Sequence, residues 1–319
     1  MSSGRAREPG PLLEAARAGD RAALARLLSL VERGGEAARD VGRLAHPHTG
    51  GAYTVGLTGA PGSGKSTLTS ALIGHLRSLE LPVAVLAIDP TSPFSGGAIL
   101  GDRVRMQEHA TDPEVFIRSM ATRGHLGGLS LAVPEATRLL DAVGKPWIIV
   151  ETVGVGQVEV EVAGQADTTL VVVNPGWGDA VQANKAGLME IADVFVINKA
   201  DRAGVPETRR DLELMLDLSD LGDWRPPIVP AVATDGSGVT EVWEAVEAHR
   251  SFSEKSGLLE RRREARTRRE LRQIVAHRLD ARARELCTGA TYDDLEQAVL
   301  DRELDPWAAT DVLLGDVGA

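Results

Sequence analysis

Residues 53–67 read Tyr-Thr-Val-Gly-Leu-Thr-Gly-Ala-Pro-Gly-Ser-Gly-Lys-Ser-Thr, the most informative stretch of the chain. It begins with an apolar run typical of a buried strand, and the residues after Ser66 have helical spacing as far as Leu79. Between them, Gly59 to Ser66 fits the pattern G-x-x-x-x-G-K-[ST]. A strand, a glycine-rich loop and a helix in this order direct backbone N–H groups and a helix N-terminus at a phosphate group. The stretch therefore predicts a site for a nucleoside triphosphate.

Every residue of this loop is assigned to the predicted phosphate site. Lys65 is expected to reach the β- and γ-phosphates, and the Ser66 hydroxyl to ligate Mg²⁺. The alternative is a glycine-rich turn without a ligand, which the complete motif in its strand–helix context disfavours. The predicted phosphate-binding residues are Gly59, Ala60, Pro61, Gly62, Ser63, Gly64, Lys65, Ser66 and Thr67.

Outward from the loop, short runs rich in Val and Ile alternate with amphipathic helices as far as residue 250. Such near-continuously apolar runs are typical of parallel strands that are covered on both faces. Their alternation with helices predicts βαβ units and a doubly wound, mostly parallel sheet of the α/β class. The predicted strands are 53–58, 83–88, 115–118, 147–151, 168–174, 193–198 and 228–233.

Helical spacing dominates both ends of the chain. The predicted domains are an N-terminal helical extension over 1–48, a nucleotide-binding domain over 49–250 and a C-terminal helical arm over 251–319. The arm carries an apolar stripe that needs a partner surface, which a second copy of the chain would supply. The stripe consists of Leu271, Ile274, Val275 and Leu279.

A second motif, Asn198-Lys-Ala-Asp201, ends one of the predicted strands and fits the guanine motif N-K-x-D. The Asp201 carboxylate can accept hydrogen bonds from both N1–H and the exocyclic amine of guanine, whereas adenine would leave it unsatisfied. Downstream, Ala231-Val-Ala233 lies where a Ser-Ala turn usually contacts the guanine oxygen through its backbone. These two motifs predict GTP rather than ATP, and the predicted base-binding residues are Asn198, Lys199, Asp201, Ala231, Val232 and Ala233.

Carboxylates at other predicted strand ends indicate a magnesium site, because ligands of open α/β sheets bind there. Glu151-Thr-Val-Gly154 stands where most GTPases have D-x-x-G, and the N–H of Gly154 is expected at the γ-phosphate. The alternative is that these carboxylates are ordinary caps or surface groups. The predicted metal ligands are Ser66, Asp89, Asp102 and Glu151, and the predicted catalytic residues are Lys65, Asp102 and Glu151.

The residue after Gly154 affects the rate of GTP hydrolysis. Ras-like proteins have a water-orienting Gln there, whereas this chain has Val155, with Gln157 two residues later. We therefore expect slow intrinsic hydrolysis that a partner can accelerate.

The amino-acid composition disfavours several other classes of protein. Of 319 residues, 46 are acidic and 35 basic, and the resulting net charge of −11 disfavours non-specific nucleic-acid binding. The single cysteine, Cys287, excludes an intrachain disulfide. The N-terminus has no apolar signal region, and the longest clean apolar run, Val83–Ile88, is too short to cross a bilayer. We expect a soluble, cytoplasmic protein without nucleic-acid or membrane partners.

Beyond the motifs, longer stretches resemble the MeaB/ArgK family, the GTPases associated with methylmalonyl-CoA mutase. The resemblance runs from about residue 12 to the C-terminus. The stretches that carry it are the loop at 59–66, Asp89-Pro-Thr-Ser-Pro-Phe-Ser-Gly-Gly-Ala-Ile-Leu-Gly-Asp-Arg-Val-Arg-Met106, Arg123-Gly-His-Leu-Gly-Gly128, Glu151-Thr-Val-Gly-Val-Gly-Gln157, Asp179-Ala-Val-Gln-Ala-Asn-Lys-Ala-Gly187, Asn198-Lys-Ala-Asp201 and Asp305-Pro-Trp-Ala-Ala-Thr-Asp-Val-Leu-Leu314. Small departures from the family pattern are Val158, Asn184 and Val232.

The resemblance implies a P-loop GTPase that binds GTP, GDP and Mg²⁺. It also implies a homodimer formed through the C-terminal arm, and a chaperone of an adenosylcobalamin-dependent acyl-CoA mutase. Such a chaperone gates cofactor delivery and protects the mutase. By position, Gln182 and Lys185 would belong to the segment that responds to the nucleotide when the mutase is bound. Methylmalonyl-, isobutyryl- and ethylmalonyl-CoA mutases all remain open as the partner.

Three alternative functions remain to be weighed against this interpretation. Some relatives have carried names as kinases of arginine/ornithine transport, but no acceptor site or extra base is visible here. Metal-insertion GTPases share the fold group, yet they carry His-rich or Cys-rich metal motifs. An arginine-rich nucleic-acid arm over 261–284 is disfavoured because Glu and Asp interleave with the arginines, as on a solvated helix with i,i+4 ion pairs.

Overall fold

The computed structural model describes residues 8–90, 106–109, 111–122, 128–152, 164–176 and 190–315. The chain forms two compact units that divide between Arg266 and Thr267. No helix within those ranges is both long and apolar enough to cross a membrane.

Among the described residues, the first unit is built on a sheet of seven strands whose hydrogen-bonded neighbours are all parallel. The strand order across the sheet is β3-β2-β4-β1-β5-β6-β7. The strands are β1 (Tyr53–Thr58), β2 (Val83–Pro90), β3 (Val115–Thr122), β4 (Trp147–Thr152), β5 (Thr168–Val173), β6 (Val194–Asn198) and β7 (Ile228–Ala231). This confirms the predicted α/β class and the parallel P-loop sheet.

Helices precede, connect and follow these strands. In the first unit they are α1 (Pro9–Arg17), α2 (Arg21–Arg33), α3 (Gly35–Ala45), α4 (Lys65–Ser78), α5 (Gly128–Ala142), α6 (Val205–Asp217) and α7 (Val239–Lys255), with short 3₁₀ turns at His46–His48 and Gln107–His109. Helix α8 (Leu258–Leu286) begins in the first unit, and its residues from Thr267 belong to the second. The second unit also contains α9 (Ala290–Leu300) and α10 (Pro306–Leu314).

The alternation of side chains along each strand divides the core between the two faces of the sheet. On β2, Val83 and Val85 pack on one face with residues of α4 and α7, whereas Leu86 and Ile88 pack on the other with α2 and α5. Helix α6 covers that second face beside β5 and β6. Burial on both faces explains why the strands are continuous apolar runs in the sequence.

Two buried aspartates stand immediately before β5 and β6, at the amino-terminal edge of the sheet. Asp167 accepts hydrogen bonds from Arg263 Nη2 at 2.7 Å and from Arg266. Asp193 accepts two from Arg262, at 2.8 and 3.0 Å. We call these five residues the arginine–aspartate cluster. It fixes the first turns of α8 to the sheet, so these arginines are not the solvated i,i+4 pairs that the sequence suggests.

The arginines keep both carboxyl groups charged. Burial opposes the ionisation of Asp167, but the hydrogen bond from Arg263 and the charges of Arg266 and Arg263 outweigh it, so its pKa lies below the ordinary value. The same balance, with His249 and Arg262 as partners, lowers the pKa of Asp193. A carboxyl group whose pKa falls on folding stabilises the fold at neutral pH and loses that contribution as pH drops through its folded pKa.

The second unit leaves large apolar side chains in solvent. Trp307 is 82% exposed, and the predicted stripe is exposed at Leu271, Val275 and Leu279. Leu300, Val312 and Leu314 are also exposed. Leu271, Val275 and Leu279 recur every four residues on α8, and exposed apolar side chains with this spacing on one helix face are typical of a surface that binds another protein.

We expect Asp167→Asn to lower the free energy of unfolding at pH 7 by about 3 kcal/mol, the low end for a broken buried ion pair, because it leaves partly buried arginines without their counter-charge. The difference in stability between the wild type and the variant should shrink below about pH 4. There the carboxyl group of the unfolded wild-type protein is protonated, so the wild type takes up a proton when it unfolds and loses the stabilisation that the ion pair supplies. Urea denaturation at several pH values measures both effects.

Asp217→Asn is the matched control. Asp217 pairs with Arg225 at the same 2.7 Å, but both side chains are more than half exposed. Its removal should change stability by less than about 1 kcal/mol. Equal losses in the two variants would contradict a special role for the arginine–aspartate cluster.

Candidate nucleotide site

The predicted phosphate loop lies at the carboxyl end of β1, between that strand and α4. Gly59 has a φ of 140°, and a Cβ there would lie 2.1 Å from the carbonyl oxygen of Val172 in β5. Gly64 ends the loop with a φ of 93° and caps α4. Glycine is therefore required at both positions, by backbone conformation and by close approach to the neighbouring strands.

Lys65 and Ser66 begin α4 and are both buried. The Lys65 ammonium donates to the carbonyl oxygens of Gly59 at 2.5 Å and Ala60 at 3.2 Å, so it crosses back over the loop. The Ser66 hydroxyl donates to Glu151 Oε1 at 2.5 Å. The structure thus brings together two of the four predicted metal ligands, which lie 85 residues apart in sequence.

The chemistry of this pair fits Mg²⁺. A serine hydroxyl and a carboxylate are hard oxygen ligands of the kind that this ion prefers beside phosphate groups. Glu151 is fully buried near the end of β4, next to β1 in the sheet. A buried carboxylate directed at the first turn of the phosphate-binding helix fits a cation better than it fits a surface cap.

Asn198 and Lys199 hold the loop from the side of β6. Asn198 Nδ2 donates to the carbonyl oxygen of Ser63 at 2.8 Å, and Lys199 Nζ donates to that of Gly62 at 2.6 Å. Lys199 has a φ of 60°, the left-handed conformation that a non-glycine residue adopts only in special turns. The predicted base motif therefore also supports the predicted phosphate loop.

The remaining base residues lie beside this motif. Asn198 Oδ1 accepts a hydrogen bond from the backbone N–H of Ala233 at 3.2 Å, and Asn198 pairs with Ala231 between β6 and β7. The Val232 N–H donates to Ser237, which closes the turn. Asp201 is exposed at the same end of the sheet. Asn198 thus links the phosphate loop to the Ala231–Ala233 turn.

Four predicted site residues, Asp102, Gly154, Gln182 and Lys185, lie outside the described residues, and their roles stay predictions. Asp89 is in β2, where its backbone pairs with Ala121 of β3.

A contact that no motif marks lies on the helix that follows the loop. Met106 is buried in the core, and Ser70 of α4 donates to Glu108 and lies 3.0–3.1 Å from His109 Nε2 through its carbonyl and hydroxyl oxygens. Glu108 and His109 are thereby fixed to α4, the helix that follows the predicted phosphate loop. Sequence reasoning missed this contact because its partners are almost forty residues apart.

A cavity of about 790 Å³ lies elsewhere in the first unit, among Met215, Leu221, Trp224 and Phe252. It reaches Asp193, just before β6, and so lies at the amino-terminal edge of the sheet. Ligands of open parallel sheets bind at the carboxyl ends of the strands, where the loop, Glu151 and Asn198 converge. The carboxyl edge is therefore the candidate nucleotide site, and this cavity is not part of it.

Comparisons with known proteins agree with the chemistry of this edge. Residues 24–287 match the model of a family described as methylmalonyl Co-A mutase-associated GTPase MeaB. A Pyrococcus abyssi protein named as a GTPase is 50% identical over 311 residues, which cover 96% of each chain. The Escherichia coli GTPase ArgK is 38% identical over 257 residues, 78% of each chain. A crystal structure described as a LAO/AO transport system kinase superposes with a TM-score of 0.71 at 29% identity and covers 96% of both chains.

We expect Gly64→Ala to weaken GTP binding at least tenfold more than Gly62→Ala, measured by calorimetric titration. Both glycines have positive φ, so both substitutions strain the backbone by roughly 1–2 kcal/mol. Only at Gly64 would the new Cβ collide, 2.3 Å from Asn198 Nδ2, whereas nothing lies within 4 Å of it at Gly62. Asn198 cannot turn aside without losing its bonds to Ser63 and Ala233. Equal effects of the two variants would show that Asn198 does not constrain the loop.

Proposed function

The chain belongs to the MeaB family of methylmalonyl-CoA mutase-associated GTPases, and from that membership we propose that it is a GTP-dependent chaperone of an adenosylcobalamin-dependent acyl-CoA mutase. In this proposal GTP binding and hydrolysis gate cofactor delivery to the mutase and protect it from inactivation. GTP hydrolysis itself follows from the family and from the GTPase names of its relatives. The observation that carries the assignment of the site is Asn198, which joins the phosphate loop to the base-binding turn.

At the phosphate end, residues Gly59 to Thr67 would surround the phosphates, with backbone N–H groups from every residue except Pro61, and the helix N-terminus would add a favourable dipole. Lys65 already lies across the loop and would exchange its carbonyl partners for phosphate oxygens. In that position its charge would offset the negative charge that develops in the transition state. The N–H of Gly154 would add a donor to the γ-phosphate.

Ser66, Glu151, Asp89 and Asp102 would hold Mg²⁺. When bound, the ion would neutralise charge on the β- and γ-phosphate oxygens. Glu151 would position the Ser66 oxygen, since the two side chains are already hydrogen bonded. With Lys65, Asp102 and Glu151 would form the catalytic set, and Val155 offers no hydrogen bond to an attacking water.

At the base end, Asp201 would accept hydrogen bonds from both guanine donors. Lys199 would lie along the base plane with its ammonium still on Gly62. The backbone of Ala231, Val232 and Ala233 would contact the guanine oxygen. The geometry supports this because Asn198 fixes the turn and the loop to one strand end.

The second unit supports a homodimer. Its exposed stripe at Leu271, Val275 and Leu279, with Trp307 on another helix, would lose contact with water in a dimer. Since about 25 cal/mol is gained for each Å² of apolar surface removed from water, a few such side chains contribute several kcal/mol. We propose that these helices form the dimer contact.

We expect Asp201→Asn to lower affinity for GTP and raise affinity for xanthosine triphosphate, whose 2-oxo group can accept from the new amide. The ratio of the two affinities should change by at least about a hundredfold, because each lost bond to a charged acceptor costs about 1.5–3 kcal/mol. Competition binding with both nucleotides measures this ratio. Asp211→Asn, an exposed aspartate on α6, is the control and should leave it unchanged. An unchanged ratio in Asp201→Asn would refute the base assignment.

We expect the isolated protein to hydrolyse GTP slowly and the partner mutase to stimulate it. A tenfold faster hydrolysis requires the activation free energy to fall by about 1.4 kcal/mol, which the ordering of one loop can supply. Phosphate release is measured with and without methylmalonyl-, isobutyryl- and ethylmalonyl-CoA mutases, in the wild type and in Lys185→Ala. Stimulation should be smaller in the variant.

Equal rates with and without every mutase would refute the chaperone proposal. The alternative function would then be phosphoryl transfer to an acceptor, which the transport-kinase name of one structural relative suggests. A kinase would transfer phosphate to that acceptor instead of releasing it as free phosphate.

A further inference from the structure

Asn174, the first residue after β5, contacts the phosphate loop from a position that no motif marks. Its Nδ2 donates to the carbonyl oxygen of Gly62 at 3.3 Å. Lys199 Nζ donates to the same oxygen at 2.6 Å. One carbonyl group therefore receives donors from the ends of two different strands, β5 and β6.

We propose that Asn174 is a positioning residue for the nucleotide, which acts through the Gly62 carbonyl and slows nucleotide release. The proposal rests on the nucleotide site proposed above. In this proposal Asn174 does not contact the nucleotide or the reacting atoms.

The physical basis is the planarity of the peptide unit. In a trans peptide the C=O and N–H groups point in opposite directions, so a donor that fixes the Gly62 carbonyl also fixes the N–H of Ser63, which in this structure donates to the carbonyl oxygen of Ala60 at 3.1 Å. Asn198 does the same one residue later, where it holds the Ser63 carbonyl and with it the N–H of Gly64. Gly62 has a φ of 75° and nothing within 4 Å of a Cβ position, so no packing around its α-carbon restrains it. The donors from Asn174 and Lys199 add to the restraint from the Ser63–Ala60 bond, and they would keep this peptide fixed when its N–H exchanges the Ala60 oxygen for a phosphate oxygen.

The other end of the Asn174 amide supports a specific role. Its Oδ1 is buried and has no hydrogen-bond partner among the described residues. Reversal of the amide would bring this oxygen against the Gly62 carbonyl, so the bond to the loop fixes the orientation. An unpaired buried acceptor lowers the stability of a fold, so stability alone does not explain this orientation of the Asn174 amide.

A second hydrogen bond, made by the segment that follows β5, provides a matched control. Thr208, which is buried on α6, accepts a hydrogen bond from the N–H of Gly176 at 3.1 Å. This bond holds the residues that follow Asn174 but does not touch the phosphate loop. Thr208→Val keeps the shape of the side chain and removes that bond.

The experiment measures the release rate of a fluorescent GDP analogue from the full-length protein. Asn174→Ala and Asn174→Asp should both speed release about three- to tenfold, which corresponds to roughly 0.7–1.4 kcal/mol. Thr208→Val should stay within about twofold of the wild type. In a double-mutant cycle, the effects of Asn174→Ala and Lys199→Ala should be non-additive, because both residues act on one oxygen. Melting temperatures of the stripped proteins show whether any variant is merely destabilised.

Wild-type release rates in both Asn174 variants would overturn the proposal, as would equal acceleration in Thr208→Val. Strict additivity with Lys199→Ala would also overturn it, since the two donors would then act separately. Failure of the wild-type protein to bind the GDP analogue would refute the proposed nucleotide site itself. Normal wild-type binding with unchanged Asn174 variants would refute only the role of Asn174.

Discussion

The phosphate loop runs so close to β5 and β6 that no side chain fits at Gly59 or Gly64, and the rest of the site depends on this close approach. A Cβ on either residue would meet the Val172 carbonyl or the Asn198 amide at little more than 2 Å. The same closeness lets the side chains at the ends of those strands hydrogen bond to the loop carbonyls. Since a carbonyl fixed on the outside leaves the N–H of the same peptide directed the other way, these bonds would order the loop for the phosphates of the proposed nucleotide site.

Residues with strong local patterns could be predicted from the sequence. The loop at 59–66, the Asn198-Lys-Ala-Asp201 motif and the apolar strands each carry their signal within a few consecutive residues, and the structure has strands and helices at the predicted places. Among pairs of distant residues, Ser66 and Glu151 could be expected together because their motifs predict ligands of one metal ion. Ser70 with Glu108 and Asn174 with Gly62 could not be predicted, because no motif marks these residues and only the order of the strands and helices in space brings them together.

The arginines of α8 show where a local interpretation fails. The interleaved acidic residues favour solvent-exposed i,i+4 pairs, and Arg284 does pair with Asp280 in this way. Arg262, Arg263 and Arg266 instead reach aspartates 69 to 99 residues away at the amino-terminal edge of the sheet. A guanidinium group makes several directed hydrogen bonds, so a buried carboxylate that needs more than one donor can outcompete a helix neighbour. Charge spacing alone cannot distinguish the two cases.

The strands β5 and β6 connect the two edges of the sheet. Each begins just after an aspartate of the arginine–aspartate cluster, and an asparagine that hydrogen bonds to the phosphate loop lies at its other end: Asn174 directly follows β5, and Asn198 is the last residue of β6. Every residue of both strands is buried, so neither strand can shift without disturbing both packed faces. A strand of five or six residues that is fixed at both ends behaves as a rigid connector between the first turns of α8 and the nucleotide site. Any nucleotide-dependent movement of the loop must therefore occur against β5 and β6, which makes their terminal asparagines the points where such movement is resisted.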